Sequence, residues 1–453
     1  MPEPEADSFS HPYLGLTPND RREMLRELGI SSVDELFSDI PVKSEFHGLP
    51  RPTSEAEVYR ELFNLSLENS NCMEHPCFLG GYHIHYVPAV VQKIAERSEF
   101  LTSYTPYQPE ISQGLLQALF EYQSLMAELT ALDVVNASHY TYGTSLGEAA
   151  HMAHRVTGRR KIVVCGAVNP ERLQVLKTYA FGRDLSVVEC GHDGESGEAD
   201  LEGALSELDS DTAMVYAESP NYFGVVEPRL GELAEEAHRR GSLFCQGFDT
   251  ISLAIFKPPG EVGADIAVGE GVGAYPSYGG PTLGVFAVRR EYVRSMPGRV
   301  VGATVDRSGR RGFVITLQTR EQHIRKEKAT SNITTNSAIL ALQSAVYIAL
   351  MGYDGLKRLA HTVLSNTKYT QRRISEVKGV VSPRFKGFSY QDFVVEGNIN
   401  ASVFKRSLRS RGVLGPTQIN YMGVSGWLVG VNELITPKHV DLLIECLKES
   451  VEV

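Results

Sequence analysis

Positive charge is in short supply in this 453-residue chain: 44 Lys and Arg stand against 55 Asp and Glu, a net charge of −11. That balance argues against nucleic acid or an anionic membrane as partner, because both are met by basic patches. Cysteine is scarce as well. Six residues scattered over this length form no disulfide framework and fit a reducing compartment. The opening Met1-Pro2-Glu3-Pro4-Glu5-Ala6-Asp7 is acidic and has no apolar run, so no secretory signal is expected. The longest apolar stretch, 338–351, is interrupted by Gln343 and Ser344 and is too short and polar to span a bilayer. Internal repeats and low-complexity tracts are lacking. What is present, 42% hydrophobic and 22% charged residues, makes a cytoplasmic, enzyme-sized chain the default. Its length suggests two or three domains, or one large domain with a smaller one attached.

The first 70 residues read as a helical arm. Thr17-Pro18 has the form of an N-cap followed by proline at the first helical position, with Met24, Leu25 and Leu28 along one face. Ser32 to Glu35 fits a capping box opening a second short helix that Pro41 ends. Residues 80–113 are rich in Pro, Tyr, Gly and Ser without periodicity and read as a long ordered loop, a class of segment more often functional than idle. A strong helix follows, with Leu115, Leu119, Tyr122, Met126 and Leu129 at helical spacing. Short apolar runs at 161–167, 185–190, 213–217, 243–247, 265–269 and 283–288 then alternate with helical segments, notably Pro170–Phe181 and Leu230–Arg239. This alternation predicts a mainly parallel sheet covered on both faces. Helices over 334–351 and 356–377 lead to a strand at 392–396, a helix at 400–411, a strand at 427–431 and a last helix capped by Thr436-Pro437. The expected division is an arm over 1–70, a large α/β domain over 71–333 and a small α/β domain over 334–453.

Three constellations carry possible chemistry. Cys72, His75, Cys77, His83 and His85 look like metal ligands, but C-x-x-x-x-C with intervening proline is not a structural zinc spacing. Ordinary loop residues are the plainer reading, and no metal is expected. Gly269, Gly271 and Gly273 follow a strand, yet the run is G-x-G-x-G, and Pro276, Gly279, Gly280 and Pro281 favour a turn over a dinucleotide-binding helix. Pyridoxal-phosphate chemistry is the third. It needs a Schiff-base lysine, an acid on the pyridine nitrogen, and amides at a helix N-terminus for the phosphate. In an open α/β sheet these come from the carboxyl ends of strands. Thr144, Ser145 and Gly147 could open such a helix, Asn221 follows one strand, and Asp249 follows the next. The lysine belongs between Gly271 and Gly280, but no lysine occurs between Lys257 and Arg289.

Tyr104-Thr105-Pro106-Tyr107-Gln108-Pro109-Glu110-Ile111-Ser112-Gln113-Gly114 with Phe120-Glu121-Tyr122-Gln123 closely resembles the glycine cleavage system P-protein. So do Lys257-Pro258-Pro259-Gly260, Gly263-Ala264-Asp265, Tyr278-Gly279-Gly280-Pro281 and the run from Arg325 to Ile333. The resemblance spans nearly the whole chain. It implies the type I pyridoxal-phosphate-dependent transferase fold, a large domain with a mainly parallel central sheet plus a smaller C-terminal α/β domain. The family activity is glycine dehydrogenase (decarboxylating): glycine loses carbon dioxide, and its aminomethyl group passes to the lipoyl arm of H-protein. The chain looks like the family's separate first subunit, equivalent to an N-terminal half without the cofactor lysine. No cofactor is then bound by this chain, and pyridoxal phosphate is expected on a homologous lysine-bearing partner, in a heterotetramer of two plus two.

No residue here is singled out as certainly catalytic. The resemblance makes Tyr104, Thr105, Tyr107, Gln108, Glu110, Ser112 and Gln113 candidates for an interface or channel wall, with mere subunit contact as the plainer alternative. Thr144, Ser145, Asn221 and Asp249 become positions of a degenerate pocket. Arg325, Lys326 and Lys328, balanced by Glu321 and Glu327, read as a solvated face. Departures from the family pattern lie at Thr141-Tyr142-Gly143, Gln246-Gly247-Phe248 and Asn432-Glu433. Two other roles remain open: a non-catalytic scaffold or regulatory subunit, and an autonomous enzyme using Lys257 or Lys328.

Overall fold

The computed structural model describes residues 13, 15–40, 52–103, 106–275, 277, 279–333 and 337–451. Tyr104, Thr105, Pro41, Tyr278 and Thr334 therefore lie outside the described residues. The chain divides into two compact units, Met1–Asn69 and Ser70–Val453.

In the first unit, helices Pro18–Leu28 and Glu55–Ser66 flank a 3-10 turn at Val33–Phe37. Thr17 caps as its sequence predicts: its hydroxyl accepts the Asp20 N–H at 3.2 Å, and the Asp20 carboxylate accepts the Thr17 N–H at 2.8 Å. The capping box expected at Ser32 does not form. The Glu35 carboxylate instead accepts the Ser31 N–H at 3.0 Å, one residue too early, and the segment stays a 3-10 turn. Neither helix buries a residue.

The second unit is built on seven strands: β1 (Val134–Val135), β2 (Lys161–Cys165), β3 (Ser186–Glu189), β4 (Thr212–Ser219), β5 (Leu243–Asp249), β6 (Ile266–Glu270) and β7 (Gly284–Val288). They lie in the order β1-β7-β6-β5-β4-β2-β3. β2 to β6 run parallel, and β7 is antiparallel to both neighbours. The parallel strands are apolar on both faces because helices cover both. Ile162, Val164, Met214, Tyr216 and Cys245 pack with Leu146 and Ala150 of the helix Tyr142–Thr157 and Leu173 and Leu176 of Pro170–Phe181. Val163, Cys165, Val215 and Phe244 face the other way, onto Leu230, Leu233 and Ala237 of Leu230–Arg239. β7 turns back because the short link after β6 holds no crossover helix among its described residues.

A hairpin of β8 (Val300–Val305) and β9 (Arg311–Thr316) follows. The helical stretch Ala338–Ser375 breaks at Gly352, whose φ of 59° and ψ of −177° are not helical, so two helices follow one another there as expected. By length and composition it is the one described helix able to cross a membrane. Its Ala341, Ala345, Ile348, Leu359 and Val363 instead enter the same core as Leu115, Leu119, Tyr122 and Met126 of Gln113–Thr130. The small α/β layer is antiparallel: β10 (Val380–Val381), β11 (Asp392–Gly397), β12 (Thr417–Tyr421) and β13 (Val424–Gly430), ordered β10-β11-β13-β12. Phe404 and Leu408 of helix Ala401–Ser410, with Leu443 and Leu447 of Pro437–Ser450, pack on Trp427 and Val429.

The stretch 80–113 is not a continuous loop. It holds helices Ala89–Ala95 and Ser98–Leu101 and a 3-10 turn at Pro109–Ile111, each too short to show a helical period. Before it, residues 77–86 form a strap against the small sheet. The Phe78 N–H donates to the Leu414 carbonyl at 2.7 Å, and the Phe78 carbonyl accepts the Gly430 N–H at 3.0 Å.

Candidate functional site

The carboxyl ends of the parallel strands gather polar groups, as open sheets of this kind do. Asp249 closes β5. One of its oxygens accepts the Ser252 N–H at 2.7 Å, and the other lies 3.0 Å from His83 Nδ1. The second ring nitrogen, His83 Nε2, lies 3.1 Å from Asp392 Oδ2, at the start of β11. Burial alone would lower the imidazole's pKa. Hydrogen bonds and charge from Asp249 and Asp392 outweigh it and push the pKa up to about 10. Burial works equally against the Asp249 carboxylate, but His83 holds it below the usual range. Water still reaches the ring, whose side chain is 24% exposed, against 10% for Asp249 and 5% for Asp392.

Glu270 ends β6 beside this group. Burial raises its pKa, while Arg172 and His83 pull it down. The Arg172 guanidinium sits 3.8 Å from the Tyr142 ring centroid and donates to Glu218 Oε2 at 3.2 Å. Glu218 Oε1 accepts the Tyr216 hydroxyl at 2.9 Å, and the Tyr142 and Tyr216 oxygens are 3.3 Å apart. A Cβ at Gly247 would strike both phenol oxygens, which explains the small residue in Gln246-Gly247-Phe248.

The helix Tyr142–Thr157 is capped by Thr141, one turn before the expected Thr144–Glu148 cradle. Thr141 Oγ1 accepts the Thr144 N–H at 3.1 Å, and Thr144 Oγ1 accepts the Thr141 N–H at 2.9 Å. Ser145 Oγ donates back to the Thr141 carbonyl at 3.0 Å. Both candidate hydroxyls thus serve their own first turn. Asn221 is also committed locally. Its amide donates to the Gly197 carbonyl at 2.9 Å and to Glu227 at 2.8 Å, and its oxygen accepts the Phe223 and Val225 N–H groups.

These residues do not fit pyridoxal phosphate. The β6–β7 link has no lysine, the acid after β5 already holds an imidazole, and the hydroxyls at the helix N-terminus are turned onto its backbone. Lys257 and Lys328 are exposed, as are Arg325 and Lys326.

The loop candidates lie elsewhere. The Arg299 guanidinium is 4.4 Å from the Tyr107 ring centroid, bonds the Tyr107 hydroxyl and pairs with Glu321 at 3.0 Å. His323 meets the same ring edge-on at 5.5 Å. Gln113 clamps β9 through the Phe313 N–H and carbonyl, each at 2.9 Å. Ser112 is buried, whereas Gln108 and Glu110 are exposed. The structure therefore joins Tyr107 and Gln113 to the region around β8 and β9, and Asp249 to His83.

The Cys72–His85 cluster does not converge on one point. Cys77 is buried, His83 binds the two aspartates, and His85 Nδ1 pairs with Glu433 at 2.8 Å. Burial raises the Cys72 and Cys77 thiols. An open hollow of about 660 Å³ is lined by Asp354, Lys357, Arg358, His361, Thr362 and Ser365, all on one helix, so no groups converge there from other elements. Sequence reasoning missed His83 as a partner of Asp249, and with it Asp392 and Arg299. Local spacing held no signal, since the aspartates are 166 and 309 positions from His83.

Comparison with known proteins agrees with this topology. The family described as glycine cleavage system P-protein matches residues 11–447. A relative in Aeropyrum pernix, named probable glycine dehydrogenase (decarboxylating) subunit 1, is 45% identical over 97% of this chain and 99% of its own length. One of the same name in Thermococcus kodakarensis is 47% identical over 94% and 96%. A crystal structure of glycine decarboxylase (P-protein) in inhibitor-bound form is 40% identical, with TM-score 0.87 over 97% of this chain and 100% of that one. A sphingosine-1-phosphate lyase from Burkholderia pseudomallei, 13% identical with TM-score 0.67 over 91% of this chain and 95% of that one, shares the fold alone, that of type I pyridoxal-phosphate enzymes. The chain belongs to the glycine cleavage system P-protein family.

Proposed function

We propose that this chain is the first subunit of a split glycine dehydrogenase (decarboxylating), active only with a lysine-bearing homologue. The assembled enzyme decarboxylates glycine, releases carbon dioxide and delivers the aminomethyl group to the lipoyl arm of H-protein. The observation that carries this reading is Asp249, fully engaged by His83 and Ser252 beside a link without lysine, in a chain whose relatives are named subunit 1. The cofactor then resides on the partner, and two copies of each chain form the cytoplasmic enzyme. Tyr59, Leu62, Phe63 and Leu65 of the first unit are exposed, and this is the surface proposed to meet the partner.

Within that assembly, the segment 106–113 walls the channel to the partner's site, with Gln108 and Glu110 exposed. The clamping of Tyr107 by Arg299 and of Gln113 by β9 favours a second reading, in which this segment only knits subunits together. Glycine–bicarbonate exchange tests the function. This chain alone should show none, the lysine-bearing homologue alone little, and the mixture full exchange with co-elution of both chains. Full exchange by the homologue alone would leave this chain a scaffold, and exchange by this chain alone would overturn the proposal.

A further inference from the structure

Two carboxylates grip one ring at the place where this fold's cofactor enzymes keep their acid. An ionised carboxylate only accepts, so between two ionised aspartates at 3.0 and 3.1 Å a histidine carries a proton on both nitrogens. A doubly protonated imidazole is a planar aromatic cation whose N–H points at Asp249. That is also how a protonated cofactor ring meets its acid. We propose that His83 is a built-in substitute for that ring, standing on Asp249 in the degenerate pocket and clasping the large domain to the small one through Asp392.

The strap delivers the ring from fixed points on both sides. Before His83, Phe78 is bonded to Leu414 and Gly430, and the Gly80 carbonyl accepts the Thr417 hydroxyl at 3.1 Å. A Cβ at Gly80 would collide with Leu428, so only glycine lets the strap lie this close to β13. After His83, His85 is held by Glu433 at 2.8 Å. Tyr82 anchors the opposite side by donating to Glu171 at 2.9 Å. The groups facing the ring are Asp249 from β5, Asp392 from β11 and Glu270 from β6, with Arg172 acting on Glu270. Asp392 Oδ1 is buried with no hydrogen-bond partner, which leaves His83 as the main compensation for that carboxylate. Removing the imidazole leaves facing carboxylates and a vacancy shaped for a small ring cation.

The inference does not depend on the glycine reaction, since its readouts are protonation and stability. In the full chain carrying 15N-labelled histidine, at about pH 8 an ordinary imidazole is neutral. The resonances lost in His83→Gln should show both nitrogens protonated in the unsubstituted chain; a neutral tautomer there overturns the proposal. His83→Ala is then heated with and without about 50 mM imidazole. Imidazole should raise its Tm by roughly 4 °C or more beyond any change in the unsubstituted chain. The gain should vanish in His83→Ala/Asp249→Asn. An equal response in all three chains overturns the proposal, and if His83→Ala does not fold, the protonation measurement decides alone.

Discussion

A histidine between two aspartates ties stability to pH with a definite sign. His83 has a folded pKa raised to about 10 from the ordinary 6.5, so its contribution is fully present below about 6.5 and is lost as pH rises toward 10. Asp249, lowered from 3.8, contributes above that value and loses its contribution in acid. The Tm difference between the unsubstituted chain and His83→Gln should therefore be largest near pH 5–6.5 and shrink toward pH 10. A difference that stays constant across that range contradicts the assignment. At the other site, Tyr107→Phe keeps the ring against Arg299 and removes only the hydroxyl. The channel reading predicts roughly tenfold slower exchange with unchanged co-elution for Tyr107→Phe and for Glu110→Gln. Unchanged turnover in both leaves the segment a contact surface.

Elements meet closely where the loop after β4 touches β11 of the small sheet. Gly224 has φ +82, its carbonyl accepts the Tyr390 N–H at 2.9 Å, and a Cβ there would fall on the Asp392 carbonyl. Gly224→Ala should cost about 3 kcal/mol in urea unfolding and speed proteolysis near residue 390. A loss below about 0.5 kcal/mol would mean that this contact is loose. The parallel strands and the helices Pro170–Phe181 and Leu230–Arg239 were legible because buried strands run apolar and amphipathic helices repeat every 3.6 residues. β1 and β10, two residues each, are too short to carry a pattern, and the half-exposed β8–β9 hairpin sits among charged residues. The site was half legible. Asp249 could be read from its place after a strand, and the absent lysine from composition. The ring upon Asp249 could not, because the strap that brings it comes from 166 positions away, before the sheet begins.

On the proposed reading the whole molecule is one half of an enzyme, since its β6–β7 link holds no lysine. Leu62→Ser with Phe63→Ser, both exposed on the helix Glu55–Ser66, should leave helix content unchanged and weaken co-elution with the partner about tenfold or more. Unaltered co-elution would place the subunit contact elsewhere. Where the cofactor resides is decided by reducing the assembled enzyme with borohydride, digesting both chains and locating the pyridoxyl label by mass spectrometry. The label should fall on a lysine of the partner and on none of this chain. Label on Lys257, Lys328 or any other lysine of this chain would contradict the proposal.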